Sequence, residues 1–104
     1  MEFKFNDSFV AAKMEDLINI KIGRTWIDRE QIDQVIDILD LNNKTNDELT
    51  AIRNSVVKLF ANEENKYYND DVFDIPNFDK YHWTRSGVVA VIDDVMYKRL
   101  KTIM

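Results

Sequence analysis

The run Asp28-Arg29-Glu30-Gln31-Ile32-Asp33-Gln34-Val35-Ile36-Asp37-Ile38-Leu39 decides the fold class. Ile32, Val35, Ile36 and Leu39 fall at i, i+3, i+4 and i+7, so one helical face is apolar and the rest polar. Asp28 followed three residues later by Gln31 has the form of a capping box, and Ile27 occupies the staple position before it. Asn42-Asn43-Lys44 is expected to close this helix.

Downstream, Thr45-Asn46-Asp47-Glu48 reads as a second capping box, with acids in the first turn where the helix dipole favours them. Leu49, Ile52, Val56, Leu59 and Phe60 form the buried stripe of this helix, which is expected to fray near Glu63 to Asn65. The short connection makes the two helices an antiparallel pair. Upstream, Ser8 to Ile22 reads as a first helix through Val10, Met14, Leu17 and Ile18, with Phe9, Ile20 and Ile22 widening its apolar side. Gly23 is expected as its C′ residue. Glu2 to Asn6 alternates and reads as a short edge strand or an ordered arm.

A last helix is expected from about Thr84 to Ile103. Thr84 would be its N-cap and Trp83 a staple onto Val88. Val88, Val91, Ile92, Val95, Leu100 and Ile103 would be its seam. Val88 to Ile92 is also strand-like in composition. The helical period of the residues that follow, and basic Lys98, Arg99 and Lys101 near the C-terminal end, favour helix. The expected fold is therefore all-α: a single small four-helix bundle-like domain over residues 1–104, with a short N-terminal strand or arm. Two glycines and one proline in 104 residues agree with long regular elements.

The connection before the last helix stands out. Residues 64–83 carry no helical pattern, and long irregular stretches in small domains are often functional or contain unrecognised structure. Tyr67 to Trp83 holds six of the twelve aromatic residues, four aspartates and the only histidine and proline. Two readings stand side by side. In one, Phe73, Ile75, Phe78 and Trp83 cap the open end of the bundle. In the other, Phe73, Phe78, Tyr81 and Trp83 anchor a protein partner, with Asp70, Asp71 and Asp74 as a negative rim.

Nineteen acids against fourteen bases give a net charge of −5. This disfavours phosphate-backbone binding, which draws on clustered Lys and Arg. Glu30, Asp33, Asp37 and Asp40 recur along one face of the second helix. They form either a solvated surface or a row of carboxylates that imitates DNA phosphates in a basic groove. The helix pair around Leu41 to Thr45 has helix-turn-helix length, but its second helix opens on Asn46-Asp47-Glu48 and offers only Arg53, Asn54 and Lys58 to a phosphate backbone.

No recognisable catalytic pattern emerges. Asp93-Asp94 and Glu63-Glu64 are sequence neighbours that diverge on a helix, Ser8, Ser55 and Ser86 sit in no nucleophile elbow, and no Gly-rich phosphate loop exists. Asp70, Asp71, Asp74 and Asp79 lack the spacing and the glycine of an EF-hand. His82 lacks a helical His or Glu partner for a metal, leaving only Asp74 or Asp79. No cofactor or metal is expected. There is no cysteine, no signal-peptide core at the N-terminus, and no membrane-length apolar run, so a cytoplasmic location is expected. Phe9, Met14 and Met96 suit either a core or a homodimer interface.

In size, acidity and lack of catalytic residues the chain resembles small accessory proteins of bacteriophages and mobile elements. That resemblance implies an inhibitor of a host enzyme or a defence nuclease, of the anti-CRISPR or anti-restriction type. The functional expectation is a non-enzymatic protein-binding module whose partner has a basic surface. The alternative is a small helix-turn-helix-like DNA-binding regulator.

Overall fold

Both capping boxes form. In the computed structural model, which describes residues 2–24, 27–68 and 73–103, the Asp28 carboxylate accepts from the Gln31 amide at 2.9 Å while Gln31 Oε1 accepts from Asp28 N at 3.1 Å. Thr45 Oγ1 accepts from Glu48 N at 3.1 Å, and Glu48 accepts from Thr45 N at 2.8 Å. That backbone N–H holds the Glu48 carboxyl below its ordinary pKa, against the opposing effect of burial.

Among the described residues four helices result: α1 (Glu2–Ile18), α2 (Arg29–Leu39), α3 (Asn46–Lys66) and α4 (Ile75–Ile103), with a 3₁₀ turn at Leu41–Asn43 between α2 and α3. The α3–α4 pair is the most extensive packing, and α1 lies mainly on α3. Helix α2 packs on α1 and α4 rather than directly along α3, so the expected α2–α3 pair does not form the main contact of either helix. The core joins Val10 and Leu17 of α1, Val35 and Leu39 of α2, Leu49, Ile52, Val56 and Phe60 of α3, and Val88, Val91 and Ile92 of α4. Phe9, Met14 and Met96 are partly buried against it. Among the described residues there is no strand beyond an isolated bridge between Tyr68 and Phe73.

Several boundaries differ from the sequence reading. Residues 2–6 are helical rather than a strand or arm. They contain no Pro or Gly to stop a helix. Asp7 pins this end to α3 by accepting from Ser55 Oγ at 2.5 Å and pairing with Lys58. Helix α1 ends at Ile18, before Ile22, and the left-handed residue after it is Lys21 (φ 61°), not Gly23. Gln31 Nε2 donates to the Ile20 and Lys21 carbonyls, 3.3 Å from each, and so fixes this turn. Helix α2 closes earlier than Asn42, at left-handed Asp40 (φ 53°), whose carboxylate accepts from Asn43 Nδ2 at 2.6 Å. The carbonyls of Leu41, Asn42 and Lys44 accept from the Arg99 guanidinium, tying the turn to α4.

The largest correction concerns the last helix. It starts at Ile75, nine residues before Thr84. Asp74 takes the capping role: its carboxylate accepts from Asn77 N at 3.3 Å and Asn77 Nδ2 at 2.8 Å. Pro76 sits in the first turn, where a missing N–H costs nothing. Thr84 is therefore an interior residue, buried, with its hydroxyl donating to Lys80 O at 2.7 Å. Trp83 is interior too and staples no N-terminus. At the other end Leu100 leaves the seam and is 56% exposed. Helix α3 continues past the expected fraying point to Lys66. The twenty-residue irregular stretch thus shrinks to a short link, residues 67–74.

Gly87 explains how the segment after α1 reaches the core. A Cβ there would sit 2.7 Å from Ile22 Cγ2, so only glycine lets buried Ile22 pack flat on α4.

Candidate interaction surface

The link between α3 and α4 is pinched at its base. Asp74 N donates to Tyr67 O at 2.9 Å, and Tyr68 bridges Phe73. This closure brings three rings together. Tyr68 and Phe73 meet edge-to-face at 4.8 Å, Phe73 and Phe78 edge-to-face at 5.3 Å, and Tyr68 and Phe78 tilted at 5.8 Å. The contacts continue along α4: Phe78 stacks on His82 at 5.4 Å, and His82 meets Trp83 edge-on at 4.6 Å. Tyr68 (59%), Phe73 (47%) and Ile75 (53%) are nevertheless well exposed.

Beneath it lies a polar trio. Glu64 on α3 is 5% exposed. It grips Arg85 on α4 in bidentate fashion, Nε to Oε2 at 2.6 Å and Nη2 to Oε1 at 3.2 Å. His82 Nδ1 is 3.0 Å from Glu64 Oε1 and 3.2 Å from Arg85 Nη2. A carboxylate oxygen only accepts, so a proton on Nδ1 satisfies the contact with Glu64. Burial pushes the Glu64 carboxyl up, but the hydrogen bonds and charges of Arg85 and His82 outweigh it and hold the group below its ordinary pKa.

The expected anchors divide. Phe73 and Phe78 share the exposed cluster, and Trp83 joins it through His82. Tyr81 turns toward the core, stacked on Tyr67 at 5.9 Å and edge-on to buried Phe60 at 6.2 Å. Burial raises its phenol pKa, with Glu63 adding to the effect. Asp74 is occupied as the cap of α4. Asp70 and Asp71 lie outside the described residues.

Tyr68 as an exposed ring and the Glu64–His82–Arg85 trio escaped the sequence reading, which placed Ile75 only among the residues capping the bundle. A signal existed: Glu64 continues the Ile52, Val56, Phe60 stripe by one more turn, and Phe78, His82 and Arg85 follow at i, i+4 and i+7.

Glu30, Asp33, Asp37 and Asp40 are all exposed, as a solvated face requires. They do not stand in a purely acidic field. Asp33 borders a cleft of about 350 Å³ between α2 and α4 together with Arg29, Lys98 and Arg99. Of the residues offered to a phosphate backbone, Arg53 is paired with Asp93 at 2.7 Å and Lys58 with Asp7. Among the described residues no group of three or more carboxylate or imidazole side chains is arranged to hold a metal ion, and no helix is long and apolar enough to cross a membrane.

Comparisons with protein-family models, with curated protein sequences and with solved structures return no match.

Proposed function

We propose that this chain is a non-enzymatic, acidic protein-binding module that docks through the hairpin tip formed by Tyr68, Phe73, Ile75 and Phe78. The observation that carries this reading is the exposure of Tyr68, Phe73 and Ile75 in a continuous aromatic cluster. The cluster is held by backbone closure at Tyr67–Asp74 and by the buried Glu64–Arg85 pair. Aromatic side chains bind at a small cost in side-chain entropy, which is one reason they recur as interface hot spots. The net charge of −5 favours a partner with a basic surface and speeds their encounter. The role that fits is occlusion of a basic site on a larger protein, as in phage- or mobile-element-borne inhibitors of host enzymes and defence nucleases. Mimicry of DNA by the Glu30, Asp33, Asp37 and Asp40 face is the finer form of this idea.

The test is affinity capture from the cells that carry the chain, run in parallel with a Tyr68→Ser, Phe73→Ser variant whose helicity and melting temperature match the parent. A protein retained by the parent and lost by the variant supports the reading. Identical retention by both removes the hairpin tip as the docking surface. Competition of the retained partner by duplex DNA, with binding that weakens steeply with salt, would support the mimicry form.

A further inference from the structure

Taking the aromatic tip as the docking surface proposed above, we infer that the partner contributes an arginine-bearing segment, with its guanidinium groups lying over the exposed rings of Tyr68 and Phe73. Ring spacing is the first argument. With centroids at 4.8, 5.3 and 5.8 Å the three rings pack on one another. A cage that encloses a ligand needs its rings further apart. No apolar knob enters between them, so a partner group must lie across the outside. Edge-to-face pairs use the edge of one ring against the face of the next, and Tyr68 and Phe73 keep 59% and 47% of their surface in solvent, so ring surface is open to a cation.

Charge is the second argument. Residues 67–79 contain four aspartates and neither lysine nor arginine. The cations that flank this segment in the sequence are engaged inside the chain: Arg85 by Glu64, Lys66 by Glu63 at 2.6 Å, and Lys80 over the Tyr81 ring at 5.3 Å. Among the described residues the cation–ring contacts fall on Phe9 and Tyr81, and none falls on Tyr68, Phe73 or Phe78. The exposed rings therefore offer cation sites that the chain itself does not fill. Asp79 follows Phe78 directly in α4. A planar guanidinium serves both features at once, stacking on a ring and donating a fork of hydrogen bonds to a carboxylate; a lysine ammonium does only the first as a point charge.

The experiment uses the full chain, labelled for amide and side-chain NMR, titrated with a blocked peptide of alternating glycine and arginine and with its lysine counterpart. The arginine peptide is expected to shift the resonances of Tyr68, Phe73, Ile75 and Phe78, with an affinity about three- to tenfold above that of the lysine peptide. A Tyr68→Leu, Phe73→Leu variant keeps apolar surface but removes the ring faces, and is expected to abolish that preference. An Asp79→Asn variant is expected to weaken the arginine peptide more than the lysine one. Equal affinity for the two peptides, shifts confined to the Glu30, Asp33 and Asp37 face, or no shift at the tip would each overturn the inference. The two readings fail separately. If capture of a partner depends on the tip while the arginine peptide ignores it, the docking surface stands and the arginine assignment falls. If the arginine peptide binds the tip while no partner is captured through it, the guanidinium site stands and the docking role falls.

Discussion

The carboxylate of Glu64, buried on α3, and the guanidinium of Arg85, on α4, face each other in a bidentate pair with contacts of 2.6 and 3.2 Å. The pair joins the two longest helices next to the aromatic tip, and Arg85 keeps only part of its side chain in solvent. Removing one partner strands a charge that folding has largely dehydrated. Glu64→Ala is expected to destabilise the fold by about 2–4 kcal/mol, and Glu64→Leu with Arg85→Met together by less than the sum of the single changes. Urea denaturation of the single and double variants measures this. Strict additivity would show that the pair is not coupled.

Acid should find the same pair. The folded-state pKa of Glu64 lies below its ordinary value, and so does that of Asp7, held down first by its hydrogen bond from Lys58 and then by that from Ser55. The unfolded chain therefore binds these protons first. The stability they contribute is fully present above the unfolded carboxylate range of about 4–4.5 and is lost as pH falls through the depressed folded values. Urea midpoints are expected to drop below about pH 5. In Glu64→Gln that decline should be shallower; an unchanged decline would assign the acid sensitivity to other groups.

The turn after α1 makes a prediction about which residue needs to be glycine. Lys21 carries the positive φ, whereas Gly23 does not, and nothing lies within 4 Å of a Cβ built on Gly23. Lys21→Gly is expected to stabilise the protein by roughly 0.5–1 kcal/mol through relief of backbone strain, and Gly23→Ala by a few tenths to about 1 kcal/mol through the unfolded state. Thermal melts suffice to check both signs. A destabilising Gly23→Ala would contradict this geometry.

Gly87 and Ile22 predict a reversal of sign. In the parent, Gly87→Ala is expected to destabilise by about 1 kcal/mol, because the clash with Ile22 outweighs the better helix propensity of alanine. With Ile22→Ala already present, the same change should stabilise by about 0.5–1 kcal/mol. A double-mutant cycle reads this directly, and the same sign in both backgrounds would refute the contact.

Asp74→Ala is expected to cost about 1 kcal/mol by uncapping α4. Amide hydrogen exchange should accelerate in Ile75 to Lys80 and leave Val88 to Ile92 protected. Uniform acceleration along α4, or none at its start, would deny Asp74 the cap.

The legibility of the fold followed how local each signal was. Asp28 with Gln31 and Thr45 with Glu48 close hydrogen bonds within one turn, so residue type at fixed spacing was enough to place both helix starts. The buried stripe of α3 was legible from its period. The start of α4 was not. Asp74 and Pro76 mark it as clearly as Thr45 marks α3, but the density of aromatic residues and aspartates in this segment imitates a loop. Thr84 has the same side chain at a cap and in an interior back-bond, and only its neighbours separate the two. The aromatic anchors of the candidate surface were visible as a group. Their division was not, because the closure between Tyr67 and Asp74 sets which rings face inward.

Contacts within one or two turns are written directly into the residue order. They fixed the helical class, the two capping boxes, and an acidic surface with aromatic residues gathered before the core of the C-terminal helix. Packing between helices decided the rest: that Glu64 is buried on Arg85, that Gly87 rather than Gly23 is the glycine under steric demand, that Lys21 bears the strained turn, that α2 lies on α1 and α4, and that Tyr81 belongs to the core while Tyr68 belongs to the surface. A helix period tells which residues share a face, but what that face meets is set by contacts between residues far apart in the chain.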